Sequence, residues 1–99
     1  MRRLERTFLD ECQRIAAQCR PLGYNPTRFV QMLLRHGGRE TARHILKPGP
    51  PHDGFATMLM LGRLDLTIEY LAVESRFREL FTDAELHVAE ERLGRTEGV

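Results

Sequence analysis

A chain of 99 residues, 41% apolar and 29% charged, has material for one soluble domain spanning residues 1–99, burying roughly 65% of its unfolded surface around a single core. No apolar run approaches bilayer-spanning length, and MRRLERTFLDE lacks the apolar stretch of a secretion signal, so the expected location is the cytoplasm with no membrane partner. The net charge of +1 conceals a division: residues 1–52 hold ten basic and four acidic groups, residues 53–99 five and ten, so one half attracts phosphates and the other repels them.

Strand signals are missing, and apolar residues recur at helical spacing. Leu4, Phe8, Cys12, Ile15 and Cys19 share one face of a first helix, ended by Pro21 and Gly23. Arg2, Arg3 and Arg6 sit against the positive end of a helix dipole, so Thr7 followed by Asp10 offers a later cap, with residues 1–6 frayed. Cys12 and Cys19 lie about 10.5 Å apart along the axis, too far for a mutual disulfide, and read as buried free thiols. A second helix begins with Asn25 as cap and Pro26 in the first turn, with Tyr24 and Phe29 packing across the cap. Phe29, Val30, Leu33 and Leu34 face inward, and Gly37-Gly38 closes it.

A short third helix runs through RETARHILK with Ala42, Ile45 and Leu46 inward, until Pro48. KPGPPHDG is the one clear loop. Asp53 caps a fourth helix through FATMLML, interrupted by Gly62. Thr67 caps a fifth through IEYLAVE, with Leu66 and Leu71 across the cap, and a further turn through RFRELF enters at Ser75. The last helix has the strongest start: Thr82 and Glu85 form a capping box and Phe81 and Leu86 pack across it. Leu86, Ala89 and Leu93 continue its apolar face, Arg92 and Arg95 suit its negative end, and residues 95–99 fray. The expected fold is all-α, a compact bundle of six or seven short helices.

Three blocks in order, YNPTRFVQMLLRHGG, GFATMLMLGRLDLTIEYL and LFTDAELHVAEERL, resemble a functionally undefined family of small helical bacterial modules. The likeness spans about residues 23–93. It implies the helical fold and an accessory role in DNA metabolism or defence beside nuclease or restriction-type proteins, and it assigns no catalytic residue.

Fourteen of the fifteen basic residues are arginine, whose planar fork suits phosphate and carboxylate. Arg39, Arg43 and Lys47 stand at i, i+4 and i+8, and Arg28, Gln31 and Arg35 form a similar line on the preceding helix. A base-reading helix–turn–helix fits poorly, because His36, Gly38 and Arg43 occupy places where that motif buries apolar side chains. Contact with the nucleic-acid backbone requires only positive charge. The leading expectation is therefore a non-catalytic module that binds DNA or RNA, or a larger nuclease or nucleoprotein partner, through Arg28, Arg35, Arg39, Arg43 and Lys47. The competing expectation is a protein-interaction subunit without nucleic-acid contact, its exposed helices forming the interface; the plainer alternative for the arginines is a solvated face or pairing with the acidic half.

Arg39 and His44 also fit the R-x4-H pattern of helical HEPN-type ribonucleases, with histidine as acid or base and arginine on phosphate. Fourteen arginines and four histidines produce that spacing by chance about once per chain. His36, Glu40 and His44 are spaced four apart, but the double glycine breaks the helix that would align them on a metal. No C-x-x-C, H-E-x-x-H or phosphate-cradling glycine loop occurs, and Ser75 reads as a cap. Asp65, Glu69 and Glu74 are acidic neighbours of a kind that can bind a cation, but they are expected to cap a helix and face water. No cofactor or metal is expected.

Overall fold

Helical spacing becomes helix wherever the apolar stripes run. In the computed structural model, which describes residues 3–97 and the side chains of 3–94, α1 spans Arg3–Cys19, α2 Thr27–Ile45, α3 Asp53–Met60, α4 Ile68–Ala72 and α5 Asp83–Glu97. Single 3-10 turns occupy Arg20–Leu22, Leu64–Leu66 and Arg78–Leu80. The described chain is all-helical and has no strand. There are thus five α-helical segments rather than a clear six or seven, and one of them, α2, is two helices joined at Gly37, where the first ends as its glycine signals. Gly37 adopts φ 79° and ψ 175° inside α2, and helix resumes at once. Arg3 to Arg6 are helical, so Thr7 is no cap: its hydroxyl donates to the Arg3 carbonyl at 3.0 Å. At the other end α5 continues to Glu97; residues 1–2 and 98–99 lie outside the described residues.

The first stripe packs as its spacing dictates, with Phe8, Cys12, Ile15 and Cys19 all buried. Phe8 meets Phe77 and Phe81 edge-on, ring centroids 5.0 and 5.4 Å apart, so α1 is fixed to the segment that joins α4 to α5. Both thiols are free; burial pushes the Cys12 thiol up to about 12 and that of Cys19 upward too, which leaves them unreactive. Along α1 lies α2, and α5 packs on α4.

The start of α2 differs by one residue from its sequence signature. Pro26 occupies the cap position, no side chain caps the helix, and Asn25 is exposed. Pro26 itself is buried, and its carbonyl accepts from the Val30 N–H at 3.0 Å. Leu33 is buried as expected, but Leu34 is 78% exposed: the two are adjacent on a helix, and only one can point at α1. His52, not Asp53, precedes α3, and it supplies no side-chain cap. Ser75 is exposed and caps nothing described; the turn there is entered from Phe77.

Two caps form as their residues demand. The Thr67 hydroxyl accepts from the Tyr70 N–H at 3.1 Å. Thr82 and Glu85 exchange reciprocal bonds, Thr82 N–H to Glu85 Oε1 at 2.8 Å and Glu85 N–H to Thr82 Oγ1 at 3.2 Å.

The arrangement at Arg92 departs furthest from a sequence reading. Its side chain is 7% exposed, and its guanidinium reaches Glu69 Oε2 at 2.8 Å, with Glu69 2% exposed. The same group donates to the carbonyls of Ile45 at 3.0 Å and Lys47 at 2.7 Å. Arg92 is therefore an interior tie and not an exposed partner of its own helix dipole. From α5 it caps the C-terminal end of α2 and holds the start of the following loop.

Candidate functional site

Beyond the bend at Gly37, the second arm of α2 and the loop after it form one wall of an open groove of about 1060 Å³. Arg28, Met32, Arg35 and His36 line it from the first arm. Glu40, Arg43, His44 and Lys47 follow, with His52 from the end of the loop and Ala84 and Glu85 from the start of α5. Four of the five residues singled out in the sequence, Arg28, Arg35, Arg43 and Lys47, thus meet at one feature.

They are not equivalent there. Arg28, Arg35 and Lys47 are exposed, and none has a side-chain partner among the described hydrogen bonds or ion pairs. Arg43 is engaged internally: Nε donates to Glu85 at 2.9 Å and a second nitrogen to Glu40 at 3.3 Å. The hydrogen bond that Arg43 donates to Glu85, then the charge of Glu85, raises the Arg43 pKa. Arg39 leaves the groove altogether, with Nε on the Leu80 carbonyl at 2.9 Å and a second nitrogen on Glu5 at 3.2 Å. Of the five cations expected to contact phosphate, three are therefore unengaged at the groove, Arg43 is held between two carboxylates and Arg39 is turned away. The charged halves also interleave, since Arg43–Glu85 and Arg76–Glu11 both cross between them.

Three histidines, His36, His44 and His52, line the same groove, the rings of His44 and His52 lying 6.3 Å apart. Each becomes a cation on protonation. His36, Glu40 and His44 share the groove but form no metal set; no group of three His, Cys, Asp or Glu among the described residues is placed to hold an ion. Arg39 and His44 are not brought to a common site, because the arginine is tied to Leu80 and Glu5 while the histidine faces the groove. Asp65 pairs with Arg63 and Glu74 with Arg76, whereas Glu69 is interior. No helix of the described residues is long and apolar enough to cross a membrane.

The groove's outer wall depends on Glu85. Burial alone pushes its carboxyl upward, but the Thr82 backbone N–H and the Arg43 guanidinium outweigh that and hold it below the usual carboxylate range. A depressed folded value means this stability is present above the unfolded value of about 4.3 and is lost as pH falls through the lower folded one. The acid limb of the pH–stability curve should therefore flatten in Glu85→Gln, read from melting temperatures between about pH 5 and pH 2. An unchanged limb would remove Glu85 from the acid response.

His52 and the loop escape sequence reasoning, because nothing in KPGPPHDG says where it folds back. Arg92 had one available signal: it continues the three-residue spacing Leu86, Ala89, where a charge is buried and must find a partner.

Comparison of the chain with known protein families, with characterised proteins and with solved structures finds no match.

Proposed function

We propose that the chain is a non-catalytic helical module that holds a nucleic-acid backbone, DNA or RNA, along the groove, alone or within a larger nucleoprotein or nuclease assembly. The observation supporting this reading is that Arg28, Arg35 and Lys47 line one groove, exposed and with no internal ionic partner described. Three phosphate contacts give a log–log salt slope near −2.7, so affinity for a short duplex should fall about 40-fold between 50 and 200 mM salt. Arg28→Glu with Arg35→Glu should weaken binding at least about tenfold and flatten that slope by about two units. The exposed Arg20, outside the groove, serves as the control position. Salt-independent affinity, or a double variant that binds like the parent, would dismiss the groove as a phosphate site.

A second reading rests on a different observation. Leu59, Met60 and Leu61 are consecutive and 42%, 88% and 45% exposed, an apolar run on the surface that supports a protein partner. Capture of partners from cytoplasmic extract with and without nuclease treatment separates the two: the first reading expects nuclease to release what is captured, the second expects no effect.

A further inference from the structure

The groove is not the only concavity. Behind it, between α1, the start of α2, α3 and α4, lies a chamber of about 340 Å³. Its wall includes Ile15, Phe29, Met32, Ile45, Met58 and Ile68. An apolar cavity of about 150 Å³ admits benzene, so this one has room for about two rings or a short alkyl chain. It also falls at the lower end of the volumes typical of small-ligand sites, about 300–1,000 Å³.

Two features separate this chamber from a packing fault. Its polar groups are sorted by depth. Thr67 and Glu69, both buried, are already engaged: the Thr67 hydroxyl donates to the Leu64 carbonyl, and the Glu69 carboxylate takes Arg92. The interior therefore presents hydrocarbon and an engaged carboxylate, with the Cys19 thiol and the half-buried Tyr24 as the other polar side chains that are not fully exposed. Among the charged and imidazole groups on its lining, the exposed ones are Arg28, His52 and Asp53, and these form the mouth. Secondly, Arg28, Met32 and His52 line both the chamber and the groove. The apolar space thus opens onto a lining that carries Arg28, Arg35, Arg43 and Lys47 against Glu40, Glu85 and Asp53, a net positive field that favours a negative group.

We infer that the chamber is a binding site for a small anionic amphiphile, a short hydrocarbon chain or fused ring bearing one carboxylate or phosphate. The tail enters among Met32, Met58 and Phe29, and the head remains at Arg28 and His52. This site shares Arg28 with the proposed phosphate groove but does not rest on nucleic-acid binding, and it survives if that reading fails.

Methionine methyl groups supply the test. Met32 and Met58 line the chamber, while Met60, exposed and outside it, is an internal reference. Methyl-labelled full chain is titrated with decanoate, and separately with decanol and decyltrimethylammonium, which carry the same tail under neutral and cationic heads. Decanoate should shift Met32 and Met58 but not Met60, and bind at least about tenfold more tightly than either analogue, about 1.4 kcal/mol. Arg28→Ala, at an exposed position, should abolish the preference for the anion while leaving the melting temperature unchanged. Ala16→Leu, which adds bulk to a buried chamber wall residue, should block all three; if it fails to fold, the head-group series and Arg28→Ala carry the test alone. Unmoved Met32 and Met58 at about 1 mM decanoate, equal affinity for the three heads, or a preference that persists without Arg28 would each overturn the assignment.

Discussion

Arg92→Ala is expected to be the most damaging single substitution in the described chain. It strips the counter-ion from Glu69, a carboxylate only 2% exposed, and removes the donor from the Ile45 and Lys47 carbonyls. Breaking a buried pair from one side costs about 3–5 kcal/mol, a large part of the roughly 5–15 kcal/mol that holds a domain together. Urea unfolding should show a correspondingly lower midpoint. The paired change Glu69→Leu with Arg92→Met should recover much of the loss, because apolar side chains of similar volume replace a desolvated pair with little or no penalty. It should not recover all of it, since methionine gives the two carbonyls no donor. A loss under about 1 kcal/mol in the single variant would place the pair with ordinary surface ion pairs.

The second large effect is expected at the bend in α2. Gly37, at φ 79° and ψ 175°, occupies a region open almost only to glycine, and a side chain there costs about 1–3 kcal/mol. Nothing lies within 4 Å of where a Cβ would stand, so the cost of Gly37→Ala is purely conformational. Gly38 poses the opposite problem. A Cβ there would come 3.1 Å from the Leu9 Cα and from a Phe8 ring carbon, where the α1 backbone cannot yield, and overpacking of this kind costs about 1–3 kcal/mol. The two variants should lose similar stability for different reasons. Gly37→Ala is relieved by straightening α2, so it should disturb the groove; Gly38→Ala pushes α1 and α2 apart, so it should disturb the Phe8 contacts. Backbone amide shifts along α2 and α1 distinguish them. Two substitutions that both leave the melting temperature intact would contradict the bend as described.

The helices were legible because burial follows spacing. Phe8, Cys12 and Ile15 are interior for the reason their intervals suggest, and Thr82 with Glu85 caps α5 as a capping box must. What misled was punctuation. A double glycine usually ends a helix, and Gly37 does end one, but the next helix starts from it with no loop between, and Gly38 serves a close approach to α1 that the sequence does not show. Asn25 and Pro26 carry the right chemistry for a helix start, but burial of Pro26 shifts the start by one residue. The basic line was legible as charge and not as availability. Arg39 and Arg43 share a face with Lys47 on paper, but their partners, Leu80 and Glu85, are about forty residues away along the chain. Tertiary contacts of that range leave no local mark.

The tie at Arg92 also bears on how the molecule comes together as it is made. Arg92 follows Lys47 by 45 residues, so the loop carrying Lys47 and His52 is synthesised before the guanidinium that anchors it. Until α5 docks, the carbonyls of Ile45 and Lys47 have only water to bond, and the groove lacks its Glu85 wall. A nascent chain halted before Arg92 therefore carries Arg28, Arg35 and Lys47 without the tie that holds the loop beside them.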